Sequence, residues 1–87
     1  MDKIWSDGAW EDYLYWQTQD KKTLRRVNQL LLDIDRNGHK GIGKPEPLKH
    51  DKLGYWSRRI DDVNRLVYRI VENRIEIAQC RAHYDER

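Results

Sequence analysis

The fold is decided by residues 65–81, whose sequence is RLVYRIVENRIEIAQCR. Leu66, Tyr68 and Ile70 alternate with Arg65, Val67 and Arg69, which predicts a β-strand with one apolar face and one face that mixes Val67 with two arginines. A second strand is predicted over residues 74–81, and Glu72-Asn73 predicts a tight hairpin turn between the two. Residues 55–60 predict another short strand upstream. Together the three strands predict an antiparallel meander.

Two helices are predicted before this meander. The first runs from a cap at Ser6 or Asp7 to about Gln19. The second is capped by Asp20 and ends at Gly38, where a left-handed residue can stop it. Its apolar positions recur at helical spacing, namely Leu24, Val27, Leu30, Leu31 and Ile34. Two helices followed by a meander predict an α+β fold, in which two N-terminal helices pack on the apolar face of a twisted antiparallel sheet and the arginine face stays open.

The segment between the second helix and the strands is predicted to be a loop. Residues 38–54 contain four glycines and both prolines, which favours defined turns over a regular element. Within it, Gly41-Ile42-Gly43 is interpreted as a flexible hinge, because no helix follows that would make it a phosphate-binding loop.

Length and composition favour a small cytoplasmic protein. The 87 residues provide for one domain over residues 1–87. No apolar run approaches the ~20 residues that span a membrane. Residues 1–10, which include a short extended start at 3–5, lack the apolar core of a signal peptide. The single cysteine, Cys80, excludes an internal disulfide and suits a reducing cytoplasm.

Positive charge is concentrated in the middle of the chain. The whole chain has a net charge of +2, whereas residues 38–71 carry eight Lys and Arg against four Asp and Glu, a net charge of +4. Such a surface suits phosphate binding. The alternative is a solvated loop and strand face.

Two residues are candidates for proton transfer. Glu46 lies between Pro45 and Pro47, which restrict the backbone and would hold a carboxylate ready to act as a general base. His83 follows the last strand, and an imidazole can donate a proton near neutral pH. The alternatives are an exposed turn glutamate and an ordinary tail histidine.

Cationic and aromatic candidates accompany this pair. Arg65 could hold a phosphate with two parallel hydrogen bonds. Further candidates for contact with phosphates and bases are Lys49, Arg58, Arg59, Arg81, Trp56, Tyr55 and Tyr84, although Trp56 could equally belong to the core. Cys80 and His83 form a single C-x-x-H pair, which is too few ligands for structural zinc, so no metal and no cofactor are predicted. A carboxylate, a histidine and an arginine beside aromatics are what metal-free RNA cleavage requires.

Several stretches occur together, in this order, in one known family. They are Ile4-Trp5-Ser6, Trp10-x-Asp12-Tyr13-Leu14-Tyr15-Trp16, Gly43-Lys44-Pro45-Glu46-Pro47-Leu48-Lys49, Tyr55-Trp56-Ser57-Arg58-Arg59-Ile60, Arg65-Leu66-Val67-Tyr68 and Cys80-Arg81-x-His83-Tyr84. Over residues 3–84 the chain resembles the YoeB (Txe) branch of the RelE toxin superfamily. The resemblance implies a microbial-ribonuclease-like fold, which agrees with the α+β prediction.

The resemblance also implies a function and roles for individual residues. It implies the toxin of a type II toxin–antitoxin system, which is paired with a YefM-like antitoxin and cleaves mRNA in the ribosomal A site. Glu46 matches the family's general base and Arg65 its transition-state arginine, while His83 matches the general acid and Tyr84 the aromatic residue of the C-terminal pair. The basic residues in matching blocks are Lys49, Arg58 and Arg59.

One departure and one alternative accompany the resemblance. The family's chains typically end at the His-Tyr pair, whereas here Asp85-Glu86-Arg87 follow, and we expect this extension to be tolerated. The alternative function is a nucleic-acid-binding or antitoxin-binding module without cleavage, against which the joint presence of Glu46, Arg65 and His83 argues. The sequence leaves open the codon preference, the particular antitoxin, and whether the free protein is a homodimer.

Overall fold

The computed structural model of the protein describes residues 1–83. Two helices pack on a five-stranded sheet, which confirms the predicted α+β fold. The elements are β1 (Asp2–Trp5), α1 (Asp7–Gln19), α2 (Lys21–Asn37), β2 (Glu46–Pro47), β3 (Trp56–Arg59), β4 (Arg65–Val71) and β5 (Arg74–Gln79), with a 3₁₀ turn at His50–Lys52.

The helices begin where the sequence predicts. The Ser6 hydroxyl accepts a hydrogen bond from the Ala9 N–H (3.1 Å), and the Asp20 carboxylate accepts from the N–H groups of Lys22 and Thr23. Side-chain caps of this kind stabilise a helix by about 1 kcal/mol. Gly38 ends α2 with a φ of 62°, which a glycine adopts without steric strain.

The sheet is mixed rather than wholly antiparallel. Its strand order is β1-β5-β4-β3-β2, and the last four strands form the predicted antiparallel meander. β1 runs parallel to β5, with Asp2 opposite Arg74 and Trp5 opposite Ile77, which corrects the prediction at this edge. In the chain, both helices lie between β1 and the other strands. A connection of this length allows β1 to run parallel to the strand that it pairs with. The predicted loop also contains β2, which is too short to show a periodic pattern.

The core lies between the helices and one face of the sheet. The most deeply buried apolar side chains of α2 and the sheet are Val27, Leu30, Ile34, Leu66, Tyr68, Ile75 and Ile77. Burying a side chain of this size contributes about 1.5–3 kcal/mol each. Within residues 1–83, no helix is both long and apolar enough to cross a membrane.

The opposite face of the sheet, called the outer face here, carries three of the candidate residues, Glu46, Arg59 and Arg65. Cross-strand partners share a face, so it bears Glu46, Ser57, Arg59, Arg65 and Val67. This face is only partly open. Asp51, Lys52 and Tyr55 line an open cavity of about 240 Å³ together with Val67, Ala78 and Gln79, and Val67 is only 3% exposed.

Candidate functional site

Glu46 is held on the outer face by its backbone. β2 pairs with β3 in a register that places Glu46 opposite Ser57, and the Leu48 N–H donates to the Tyr55 carbonyl (2.9 Å). The Glu46 side chain is exposed, at the rim of an open cavity of about 410 Å³ that residues 46–52 line. A solvent-accessible carboxylate on a fixed backbone is suited to accept a proton.

Arg59 and Arg65 form a cationic pair on the same face. They lie directly opposite each other in the β3–β4 register, and like charges in this position destabilise a sheet. Nη1 of Arg65 donates to the carbonyls of Asp61 (2.7 Å) and Asn64 (3.1 Å), which anchors that side chain. An anion bound between the two guanidinium groups would relieve their repulsion. The pair is therefore a candidate phosphate site.

Asp61 holds the turn that precedes Arg65. Its carboxylate accepts hydrogen bonds from the N–H groups of Val63 (2.8 Å) and Asn64 (2.7 Å). Burial acts to raise the pKa of this carboxyl, but the hydrogen bonds outweigh it, and with the charge of Arg65 they keep the pKa below its usual value. Asp61 is therefore ionised at neutral pH and fixes the start of β4.

The C-terminal segment returns to the start of β4. The Arg65 N–H donates to the Ala82 carbonyl (3.1 Å), and the Ala82 N–H donates to Oδ1 of Asn64 (2.6 Å). Nε2 of Gln79 donates to the carbonyls of residues 81 and 82. These contacts fix the backbone of Ala82 beside Arg65, and His83 is the next residue in the chain.

Helix α1 fastens the same segment from the interior. The Asp12 carboxylate, 3% exposed, accepts from the Cys80 N–H (3.1 Å), and Nε1 of Trp16 donates to the Cys80 carbonyl (2.8 Å). None of these residues, nor Asn64 and Gln79, was predicted from the sequence to hold the C-terminal segment. Asp12 left a signal, since it is an acid on the buried stripe of α1, whereas an asparagine in a turn carries none.

Arg58, expected to contact RNA, is instead fully buried. Its five N–H donors all bind within the protein: Nε to the Tyr68 hydroxyl, Nη1 to the Asp33 carboxylate and the Ile42 carbonyl, and Nη2 to the carbonyls of Gly38 and Lys40. A guanidinium has no further donor. The structure thus corrects this expectation, because Arg58 lies on the helix-covered side of β3.

The charge of Arg58 contributes to the lowered pKa of two neighbouring groups, Asp33 and His39. The hydrogen bond from Arg58 to Asp33 lowers the pKa of that carboxyl. Burial, and then the Arg58 charge, lowers the pKa of His39, whose ring stacks on Trp56 at 4.1 Å between centroids. The buried Nδ1 of His39 has no hydrogen-bond partner among residues 1–83. Trp56 is partly buried and packs against the core, as in the alternative that the sequence left open, and its RNA contact stays a prediction.

The remaining basic candidates lie in different places. Lys49 is exposed beside Glu46 and lines the same cavity. The Arg81 guanidinium lies over the ring of Tyr15 in α1, 4.1 Å from its centroid. Ion pairs with acidic side chains hold Arg58 and Arg69, so the positive charge of the middle segment is less available than its sum suggests.

The predictions for the C-terminal residues and for the absence of a metal cannot be judged on the whole chain, because the structure describes residues 1–83. Tyr84 and the Asp85-Glu86-Arg87 extension are outside the described residues. Among residues 1–83, no three His, Cys, Asp or Glu side chains are grouped as metal ligands would be. Cleavage without a metal stays a prediction.

Comparisons with known proteins point to one family. A family model described as "YoeB-like toxin of bacterial type II toxin-antitoxin system" matches residues 5–84. Toxin YoeB of Escherichia coli K12 is 50% identical over 84 residues, which cover 97% of this chain and all of that protein. The structure of a YoeB/ParE toxin from Agrobacterium tumefaciens superposes with a TM-score of 0.94 at 44% identity, over 97% of this chain and all of that one. In a heterotetrameric YoeB–YefM toxin–antitoxin complex from Staphylococcus aureus, a chain at 50% identity has a TM-score of 0.91, over 97% of this chain and 98% of that one.

Proposed function

The chain belongs to the YoeB-like toxins of bacterial type II toxin–antitoxin systems, and from this premise we propose that it is an endoribonuclease that cuts mRNA in the ribosomal A site. The cut inhibits translation. In this proposal the protein is a single cytoplasmic domain of residues 1–87 that uses neither a metal nor another cofactor.

The observation that carries the proposal is the set of charges brought together on the outer face. Arg59 and Arg65 face each other in the β3–β4 register and offer two cations for a phosphate, and the hydrogen bond between Arg65 and Ala82 brings the chain before His83 to the side of Arg65. Glu46 lies two strands and two residues from Arg65, which for ordinary sheet spacing places their Cα atoms ~12 Å apart. Long side chains can reach a phosphodiester and its ribose from both sides across that span.

The proposed reaction is an internal attack within the RNA. Glu46 accepts the proton of a ribose 2′-OH, whose oxygen forms a bond to the adjacent phosphorus. Arg65, with Arg59 beside it, neutralises the charge that develops on the phosphorane oxygens. The bond to the 5′-oxygen then breaks, and His83 donates a proton to the leaving oxygen. The products are a 2′,3′-cyclic phosphate and a 5′-OH end.

The remaining candidates are assigned to RNA contact in the same proposal. Lys49, next to Glu46, binds a flanking phosphate, and Tyr84 stacks on a base. The ribosome presents the mRNA, because the outer face offers only a shallow surface with which to hold a flexible strand.

A YefM-like antitoxin is the proposed protein partner. The S. aureus YoeB has been solved as a dimer and with YefM, and the cationic outer face suits an acidic segment that folds on binding. We propose the same two assemblies for this chain, a homodimer and a complex with a YefM-like antitoxin. Since a ligand that binds only the folded state stabilises it by mass action, an antitoxin in excess should raise the unfolding midpoint by several degrees in a thermal scan. An unchanged midpoint would exclude this pairing.

Cleavage can be tested with mRNA in ribosomes that carry an empty A site. We expect a 2′,3′-cyclic phosphate end, no cut when the nucleotide at that site is 2′-deoxy, and a much slower cut of naked RNA. Glu46→Gln should lower the rate by about 10²–10⁴-fold and leave the unfolding midpoint unchanged, because the side chain is exposed.

Three outcomes would contradict the proposal. Cleavage of the 2′-deoxy substrate excludes internal attack. Loss of the slow naked-RNA cleavage when a chelator is added excludes a metal-free reaction. If Glu46→Gln arrests translation as strongly as the unchanged protein, the chain is a binding module rather than a nuclease.

A further inference from the structure

The segment that leads to Glu46 is bound to three of the four residues of β3. Glu46 itself pairs with Ser57, and the Arg59 N–H donates to the Gly43 carbonyl (2.7 Å). Between these two contacts, the Arg58 side chain holds the carbonyls of residues 38, 40 and 42 at 2.7, 2.8 and 3.0 Å. Three successive residues of β3 thus fix residues 38–46 from end to end.

The glycines of this segment are required by that packing. Gly41 has a φ of 120°, and a Cβ built on it would collide with the Asp33 carboxylate. Gly43 has a φ of 80°, and its Cβ would lie 2.8 Å from Cδ2 of Leu30 and 3.2 Å from Cβ of Arg58. The backbone therefore passes directly over the ion pair, which contradicts the interpretation of residues 41–43 as a flexible hinge.

Asp33 joins the guanidinium to the backbone of the segment. Its carboxylate forms an ion pair with Arg58 and accepts the Ile42 N–H (3.0 Å) and an Nδ2–H of Asn37 (2.8 Å). Because α2 carries Asp33 and β3 carries Arg58, the segment is held between two elements of the core.

We propose that Arg58 and Asp33 are positioning residues for Glu46: together they form an internal template that sets the path of residues 38–43 and so the place where the carboxylate enters the outer face. The inference rests on the proposed ribonuclease function, in which Glu46 must meet a ribose 2′-OH. A guanidinium is needed because five donors in one plane satisfy five acceptors, whereas a lysine offers three donors.

The sharpest test compares two acids of the same helix. Asp33→Asn removes the charge that orients Arg58, whereas Asp35→Asn removes ion pairs with Lys3 and the N-terminal amine, away from the segment. Both variants lose a charged contact of α2, so they control for a general loss of stability. Cleavage is measured over a range of ribosome-complex concentrations up to saturation, at a temperature well below the unfolding midpoint of either variant.

We expect Asp33→Asn to lower kcat by about 10²-fold, the usual cost of misplacing a catalytic group by about 1 Å, with KM nearly unchanged because the substrate contacts remain. Asp35→Asn should keep the original kcat. In a Glu46→Gln background, Asp33→Asn should add no further loss. If Arg58→Lys folds, its cleavage rate should remain below that of the unsubstituted protein.

A second readout separates this inference from the proposed function. Amide hydrogen exchange of residues 38–46 should accelerate in Asp33→Asn and stay unchanged in Asp35→Asn, whether or not the protein cleaves RNA. Equal exchange in the two variants overturns the template, and so does an equal kcat. Absence of cleavage by the unsubstituted chain overturns the proposed function, while accelerated exchange in Asp33→Asn still supports the template.

Discussion

Arg58 and Arg59 are neighbours in the chain and opposites in the fold. Arg58 lies on the helix-covered side of β3, is fully buried, and has every donor bound to the protein itself. Arg59 is exposed on the outer face, opposite a second arginine. Identical side chains in one sequence block therefore serve different purposes: one shapes the interior, and the other is available to an anion.

The difference shows how the two faces of the sheet divide their tasks. A buried charge is costly unless it is fully paired, so the helix-covered face tolerates Arg58 only with its complete set of partners. On the outer face, water screens the charges, so the repulsion between Arg59 and Arg65 costs much less than an unpaired buried charge would. Substitutions should therefore affect stability on one face and RNA binding on the other.

The largest expected effect is on stability. Arg58→Met leaves the partly exposed Asp33 carboxylate, three backbone carbonyls and the buried Tyr68 hydroxyl without their partner, and each buried polar group left unpaired costs about 1–3 kcal/mol. Together these losses are a large part of the ~5–15 kcal/mol that holds a small domain folded. Arg59→Met should change the free energy of unfolding by less than ~0.5 kcal/mol. Urea unfolding at pH 7 measures both, and equal losses would abolish the distinction between the faces.

The next effect concerns the salt dependence of RNA binding. Arg59→Gln should remove one phosphate contact and reduce the slope of log K against log salt by about 0.7, the value for single-stranded nucleic acid. Arg36→Gln changes an exposed arginine at the end of α2 and serves as the matched control for net charge. Binding is measured with a 2′-deoxy substrate that cannot be cut. If both variants change the slope equally, the outer face has no special role.

The smallest effect is a pH dependence on the helix-covered side. Burial and the neighbouring Arg58 charge lower the pKa of His39 in the folded protein, so below pH ~6.5 the unfolded chain binds more protons and stability falls as the pH decreases. The full contribution is present above the unfolded pKa. His39→Gln should reduce the change of the unfolding midpoint between pH 7 and pH 5. The lowered pKa of Asp33 keeps that neighbour ionised over this range.

The control for this measurement is the exposed histidine of the 3₁₀ turn. His50 has a positive φ of 60°, and His50→Asn replaces it with a residue that tolerates this conformation. Its midpoint should fall with decreasing pH as in the unsubstituted protein. A midpoint for His39→Gln that also falls in parallel would show that His39 does not report the charge of Arg58.

Much of the fold could be predicted because its signals are local. A cap depends on one side chain and the N–H groups two and three residues away, which is why the sequence predicted Asp20 and either Ser6 or Asp7 as caps, of which the structure has Asp20 and Ser6. The meander could likewise be predicted from alternation along single strands. The direction of β1 could not, because it depends on how both helices pack before the chain reaches β5.

The candidate site divides along the same line. The flanking prolines in the sequence already indicated that Glu46 would be held in place, and the structure places it on an extended edge strand. Alternation along β3, applied as it was to β4, would have shown that Arg58 and Arg59 face opposite sides. Nothing local could have shown that Asn64 binds the Ala82 N–H, since 18 residues separate them.

By itself, the sequence determined the helices, their caps, the hairpin and the family of the protein, because each depends on neighbouring residues or on the order of short blocks. Only the tertiary structure decided that β1 runs parallel, that Arg58 turns inward onto Asp33, and that residue 82 closes onto Arg65. These contacts join residues far apart in the chain. Their free energy comes from burial and hydrogen bonding that exist only after the helices have packed on the sheet.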